Sequence, residues 1–247
     1  MLTEEYKGRI KNFYKRNENE HVGFVYVPKT GGTYLSISFI PQKYHGPKYK
    51  LSKLASSFHM PASRVVDIVG NETPLFTMVR DPYDRSCSEY YFIKRRILSS
   101  IDSMHWDFSD EKKLNFVINR VESVMGSDIY SKKIYQIFKN NLNIEEYLEW
   151  YHEDPTYPWY YDIKTPKDFD IVGLTEDIPG TISLLKNIYD IDVSYGDAND
   201  NPLKKVNKPY KTKYSRRKFK KHNDVEYNLY YEGKEKYHKI LSQTKTS

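Results

Sequence analysis

One stretch constrains this chain more than any other: HVGFVYVPKTGGTYLSISFI, residues 21–40. Val22, Phe24, Val25, Tyr26 and Val27 form a short apolar, β-branched and aromatic run, the pattern of a buried strand. Pro28 ends it, because proline brings no donor to a sheet ladder. Gly31 and Gly32 permit a tight turn and a close approach of backbone to ligand. Thr33 then reads as the N-cap of a helix carrying Leu35, Ile37, Phe39 and Ile40. Strand, glycine turn and helix start together aim free N–H groups and the positive end of a helix dipole at one point. That is an anion site, and Lys29 adds a full charge to it. The order is not that of the GxxxxGK[ST] nucleotide loop, where the lysine follows the glycines; here Lys29 precedes them.

A second motif, TPLFTMVRDPYDRSCSEYY, covers residues 73–91. Residues 73–79 read as a second buried strand. Arg80 falls at its C-terminal end, where open parallel sheets place their ligands. A long helix is expected over 83–98, with Pro82 near its first turn. Ser88, two turns along, can bring its hydroxyl back toward Arg80, and an arginine fork with a hydroxyl makes a phosphate clamp. The same residues also suit a purely structural Arg80–Asp84 ion pair at the helix start. Cys87 is read as a small buried hydrophobe.

The remaining chain alternates in the same way. Helices are expected over 2–20, 63–69, 107–119, 128–139, 144–151 and 178–189, a third buried strand over 170–174, and one or two closing helices over 215–241. PTYPWYY, residues 155–161, reads as an aromatic loop punctuated by proline. Strands alternating with helices imply an α/β fold with a mostly parallel sheet covered on both faces. The 247 residues suit a single domain, 1–247.

Hydrophobic content is low at 38%, and 24 tyrosines carry much of the packing potential. The one cysteine excludes an intrachain disulfide, which fits a reducing compartment. Residues 1–20 lack the apolar core of a signal peptide. No run approaches the ~20 apolar residues of a spanning helix, so the expectation is a cytoplasmic protein. The histidines are scattered, without zinc spacing. The net charge of +6 is concentrated: residues 203–222 hold ten Lys and Arg and no acid. A local cluster of that kind points to a polyanionic partner.

PKTGGT followed by VRDPYDRxxSxYY resembles the nucleotide-binding pair of sulfotransferases that use 3′-phosphoadenosine 5′-phosphosulfate (PAPS). The resemblance is to the carbohydrate group that contains the heparan sulfate 2-O-sulfotransferases. DFDIVGLTEDIPGTISLL and VNKPYKTKYS are similar to later stretches of that group, and the likeness runs over residues 24–241. It implies a P-loop-like three-layer fold and PAPS as donor, with no metal. Lys29, Thr30, Gly31, Gly32 and Thr33 would hold the 5′-phosphosulfate, and Arg80 and Ser88 the 3′-phosphate. Asn207 and Lys208, in the basic 203–222 segment, would close over the nucleotide. Tyr34 departs from the serine common in such loops.

Sulfuryl transfer needs a base for the acceptor hydroxyl and fixed positive charge where the departing phosphate gains negative charge. Lys29 suits the second task. His59, between the two motifs in FHMPASRV, lies where the resembling group carries its catalytic histidine; His45 is the competitor. The acceptor implied is a glycan hydroxyl. Arg216, Arg217 and Lys218 are candidates for guiding an anionic acceptor, against the plainer reading of a solvated helix face. Two other classes compete. A nucleotide kinase would want the Walker order and a magnesium carboxylate. A nucleic-acid-binding protein would use the 203–222 cluster with Tyr210, Tyr214 and Phe219.

Overall fold

Apolar runs too short for helices form the centre of the molecule. The computed structural model describes residues 21–31, 50–51, 59–101, 115, 129–189 and 212–244. Its strands are β1 (His21–Val25), β2 (Lys50–Leu51), β3 (Leu75–Val79) and β4 (Ile171–Leu174). Its helices are α1 (Ala62–Val69), α2 (Pro82–Ile101), α3 (Ile129–Phe138), α4 (Ile144–Trp150), α5 (Thr156–Tyr160), α6 (Ile178–Tyr189), α7 (Arg216–His222) and α8 (Asp224–Thr244). The expected helices over 2–20 and 33–40 lie outside the described residues, as does that over 107–119 apart from residue 115, which is helical.

The strands lie in the order β2–β1–β3–β4, and every pairing is parallel. Parallel neighbours need long crossovers; α1 lies in the connection from β1 to β3 and α2 to α5 in that from β3 to β4, giving an α/β fold. Every residue of β3 and β4 is buried, which is why both read as continuous apolar runs rather than alternating ones. The register sets Gly23 against Leu75, Val25 against Thr77 and Met78 against Gly173. One face carries Phe24 and Phe76, their ring centroids 4.9 Å apart, and is covered by α6. A Cβ on Gly173 would fall 2.5 Å from Thr181 Cγ2 of that helix, so the absent side chain lets helix and sheet meet. The other face carries Leu75, Thr77 and Val79 and receives α8. There Gly233 allows the approach, since a Cβ on it would meet Val79 Cγ1 at 2.7 Å.

Residues 155–161 correct the sequence reading, because α5 is a helix and not a loop. Pro158 is its third residue, where a missing N–H costs nothing because first-turn donors have no partner within the helix. The two preceding donors are satisfied from outside. Thr156 N–H donates to Tyr151 Oη at 2.9 Å and Tyr157 N–H to Glu226 Oε1 at 2.8 Å. Local composition could not show these partners. At the end of the basic segment, residues 216–222 form α7, capped by Ser215, the first of the two closing helices expected over 215–241.

Between the helices lies a set of charges that the sequence reading missed. Arg85, Glu89, Lys133 and Glu226 are each no more than 1% exposed. Lys133 Nζ is 3.1 Å from Glu89 Oε2, and Arg85 reaches Glu89 and Glu226 at 3.5 Å each. Tyr147 donates to Glu89 at 3.0 Å and Tyr151 to Glu226 at 2.8 Å. Burial alone would raise both carboxyls. It prevails at Glu226, while at Glu89 the Lys133 and Arg85 charges outweigh it and hold the carboxyl below its ordinary range. Two cations and two anions leave the cluster neutral as a unit, the condition for burying charge at tolerable cost. Its only sequence trace is the Arg85–Glu89 spacing of four on α2.

Candidate functional site

β1, β3 and β4 are adjacent and parallel, so the loops leaving their C-terminal ends meet along one edge of the sheet. After β1 the backbone enters the left-handed region twice, at Lys29 (φ 65°) and Gly31 (φ 85°). Glycine adopts this conformation freely, whereas lysine there marks a constrained loop. A Cβ on Gly31 would also press to 3.3 Å from Ile178 Cδ1 at the start of α6. Ladder pairing stops at Val25, two residues earlier than the apolar run suggests.

Hydrogen bonds bind the three strand ends to one another. Arg80 Nη1 donates to the Lys29 carbonyl oxygen at 3.0 Å. Thr175, directly after β4, shares its hydroxyl between the carbonyls of Thr30 (2.6 Å) and Val79 (3.1 Å). Glu176 Oε1 accepts from Asp81 N–H at 2.7 Å. The two sequence motifs, fifty residues apart, therefore share one site. Thr175 and Glu176 were missed as site residues; the TE of VGLTE was their only signal. The Thr30 hydroxyl donates to Val27 O at 2.7 Å and is fully buried. What Thr30 offers a ligand is therefore backbone, not side chain. Ser88 lies buried on α2. Gly32, Thr33, Asn207, Lys208 and His45 lie outside the described residues.

His59 sits beside the same loop, 8% exposed. Its Nδ1 is 3.1 Å from Tyr26 O. A carbonyl can only accept, so Nδ1 carries the proton and Nε2 is the basic nitrogen. The ring packs on Tyr26 at 4.4 Å and meets Tyr160 edge-on at 6.4 Å. Burial lowers its pKa to about 4, against the raising effect of the Tyr26 bond, and the Lys29 charge pushes further down. Lys29 and His59 thus share one electrostatic neighbourhood. The Lys29 ammonium lies 4.3 Å from the centre of the Phe92 ring on α2.

The basic helix α7 departs from expectation. Arg216 donates to Asp81 at 2.7 Å and also pairs with Asp84, while its guanidinium stacks 4.8 Å from the Tyr83 ring centre. The Arg80–Asp84 pair of the structural reading is thereby replaced, because Asp84 faces α7. Lys218 pairs with Glu149 of α4. Of the three residues assigned to an anionic acceptor, Arg216 and Lys218 are engaged with the chain's own acids, and Arg217 is exposed. Positions on one short helix look alike in sequence; which of them meet acids depends on the elements packed opposite.

Cys87 is fully buried and its thiol is pushed up to about 12, chiefly by that burial. Among the described residues no group of three or more His, Cys, Asp or Glu could hold a metal ion, and no helix is long and apolar enough to cross a membrane. Compared with known proteins, the chain matches no family model and no curated protein.

Proposed function

We propose that this chain is a sulfotransferase that moves a sulfuryl group from PAPS to an acceptor hydroxyl, on a P-loop-like sheet. The observation that carries the reading is the 3.0 Å bond from Arg80 to the Lys29 carbonyl. It joins the loop suited to a 5′-phosphosulfate to the arginine suited to a 3′-phosphate. Gly31 makes its left-handed turn packed against Ile178, Met78 and Thr175, which ties the loop closely to the ends of β3 and β4. Lys29 and Arg80 bring to this joined pair of loops the positive charge that such a dianionic end needs.

The donor supplies an activated sulfuryl group, whose bond to the phosphate oxygen breaks as the acceptor oxygen bonds to sulfur. His59 Nε2 takes the acceptor proton. Nδ1–H stays on Tyr26 O and fixes the ring orientation. Burial keeps the ring neutral and able to accept. Negative charge brought in beside it would offset Lys29 and raise its basicity toward the working pH. Lys29 stabilises the charge that develops on the departing phosphate. A glycan hydroxyl is the acceptor this reading favours.

The test is ligand choice followed by turnover. Adenosine 3′,5′-bisphosphate is expected to raise the melting temperature, with ATP and a single-stranded oligonucleotide doing so less. Labelled sulfate is expected to pass from PAPS to a member of a glycan panel. Stabilisation by ATP or oligonucleotide instead of the bisphosphate would overturn the reading.

A further inference from the structure

The proline-punctuated aromatic stretch is left without a role by the reading above, yet one of its side chains holds Arg80. Tyr157 is fully buried on α5. Its hydroxyl accepts from Arg80 N–H at 2.7 Å and donates to Arg80 O at 2.6 Å. A phenol has one proton and free lone pairs, so one oxygen can serve both backbone groups of a residue at once. Tyr157 is itself anchored. Its N–H donates to Glu226 Oε1, and the Arg85 guanidinium lies 5.3 Å from its ring centre. Arg80 is thus gripped at both ends, its peptide by Tyr157 and its guanidinium by the Lys29 carbonyl.

We infer that Tyr157 is a positioning residue that sets the preference for a 3′-phosphorylated nucleotide by fixing where Arg80 points. The inference rests on the PAPS reading. A strand-end residue with its N–H and C=O unpaired is free to rotate its peptide, and the fork at the end of a long side chain then moves by more than a hydrogen bond tolerates. The Lys29 loop, held by other bonds, keeps its affinity for the 5′ group.

The experiment measures dissociation constants of adenosine 3′,5′-bisphosphate and adenosine 5′-monophosphate by calorimetry, for the parent protein, Tyr157→Phe and Arg80→Ala. The parent is expected to prefer the bisphosphate. Tyr157→Phe is expected to lose about tenfold in bisphosphate affinity, the size of one charge-assisted contact. Its monophosphate affinity should stay within about twofold, so its ratio moves toward that of Arg80→Ala. A folded Tyr157→Phe with the parent's ratio overturns the inference and leaves the PAPS reading standing. A parent that shows no bisphosphate preference overturns both. If Tyr157→Phe does not fold, Tyr157→His replaces it. Imidazole cannot donate and accept through one atom, so the same loss is expected and a retained ratio again overturns the inference.

Discussion

His59 Nδ1 and the Tyr26 carbonyl oxygen, 3.1 Å apart, tie the candidate base to the residue that follows the end of β1. The bond spans thirty-three positions of sequence, and the loop that carries Lys29 begins two residues beyond Tyr26. Any displacement of that strand end therefore moves the imidazole and the cationic loop together.

The burial that keeps this ring neutral has a consequence for stability. Its folded pKa of about 4 lies below the 6.5 of an exposed histidine. The unfolded chain takes up a proton as pH falls through about 6.5, and the folded chain does so only near 4. Stability is therefore undiminished by this group above about 6.5 and falls with pH between those values. Urea titrations at about pH 7.5 and pH 5 should show His59→Gln losing roughly 2 kcal/mol less than the parent over that interval. Parallel losses in the two proteins would contradict the burial argument.

The same substitution site tests catalysis. His59→Ala is expected to cut sulfate transfer by roughly 10²–10⁴ while leaving adenosine 3′,5′-bisphosphate affinity close to that of the parent. Loss of activity in His45→Ala with full activity in His59→Ala would assign the base to His45.

Lys29→Ala and Arg80→Ala should each weaken bisphosphate binding by at least about tenfold, since each removes a charged contact to phosphate. Arg80→Lys should not restore it, because a lysine cannot donate to the Lys29 carbonyl and to a phosphate with the geometry of a planar fork. Calorimetry on the three variants checks this, and unchanged affinity in both alanine variants would remove the nucleotide site.

Lys133→Met should destabilise the fold by about 3–5 kcal/mol, because it leaves Glu89 buried with the cluster one charge short. Lys133→Met combined with Glu89→Leu should cost less than the sum of the two single changes by about 1 kcal/mol or more. It leaves Arg85 and Glu226 as a neutral pair. Chemical denaturation of the four proteins completes the cycle, and simple additivity would mean that the charges do not interact.

The basic helix separates steering from structure. Arg216 and Lys218 bond to acids at half-exposed positions, where solvent screening leaves an ion pair little net contribution to stability. Reversing either charge nevertheless perturbs the fold's own contacts. Arg217→Glu with Lys221→Glu is the cleaner change, since both side chains are exposed. For an anionic acceptor it should raise the acceptor KM, as should added salt, and leave the KM for PAPS nearly unchanged. A KM indifferent to both treatments returns α7 to a purely structural role.

The sequence by itself determined the alternation of strands and helices, the positions of β3, β4 and α6, and the placing of Lys29 and Arg80 beside a strand end. These follow from local physics: apolar runs of four to six residues, proline and glycine at their ends, helical spacing of apolar side chains. Tertiary structure alone decided that Asp84 pairs with Arg216 and not Arg80, and that PTYPWYY forms a helix whose first donors are met by Tyr151 and Glu226. It also decided that Arg85, Glu89, Lys133 and Glu226 are buried and that Tyr157 grips Arg80. Each of these is a contact between elements distant in sequence. A charged or phenolic side chain carries no local mark of whether it will face water or a partner, because the partner is supplied only when the sheet order and the helix docking bring the two together.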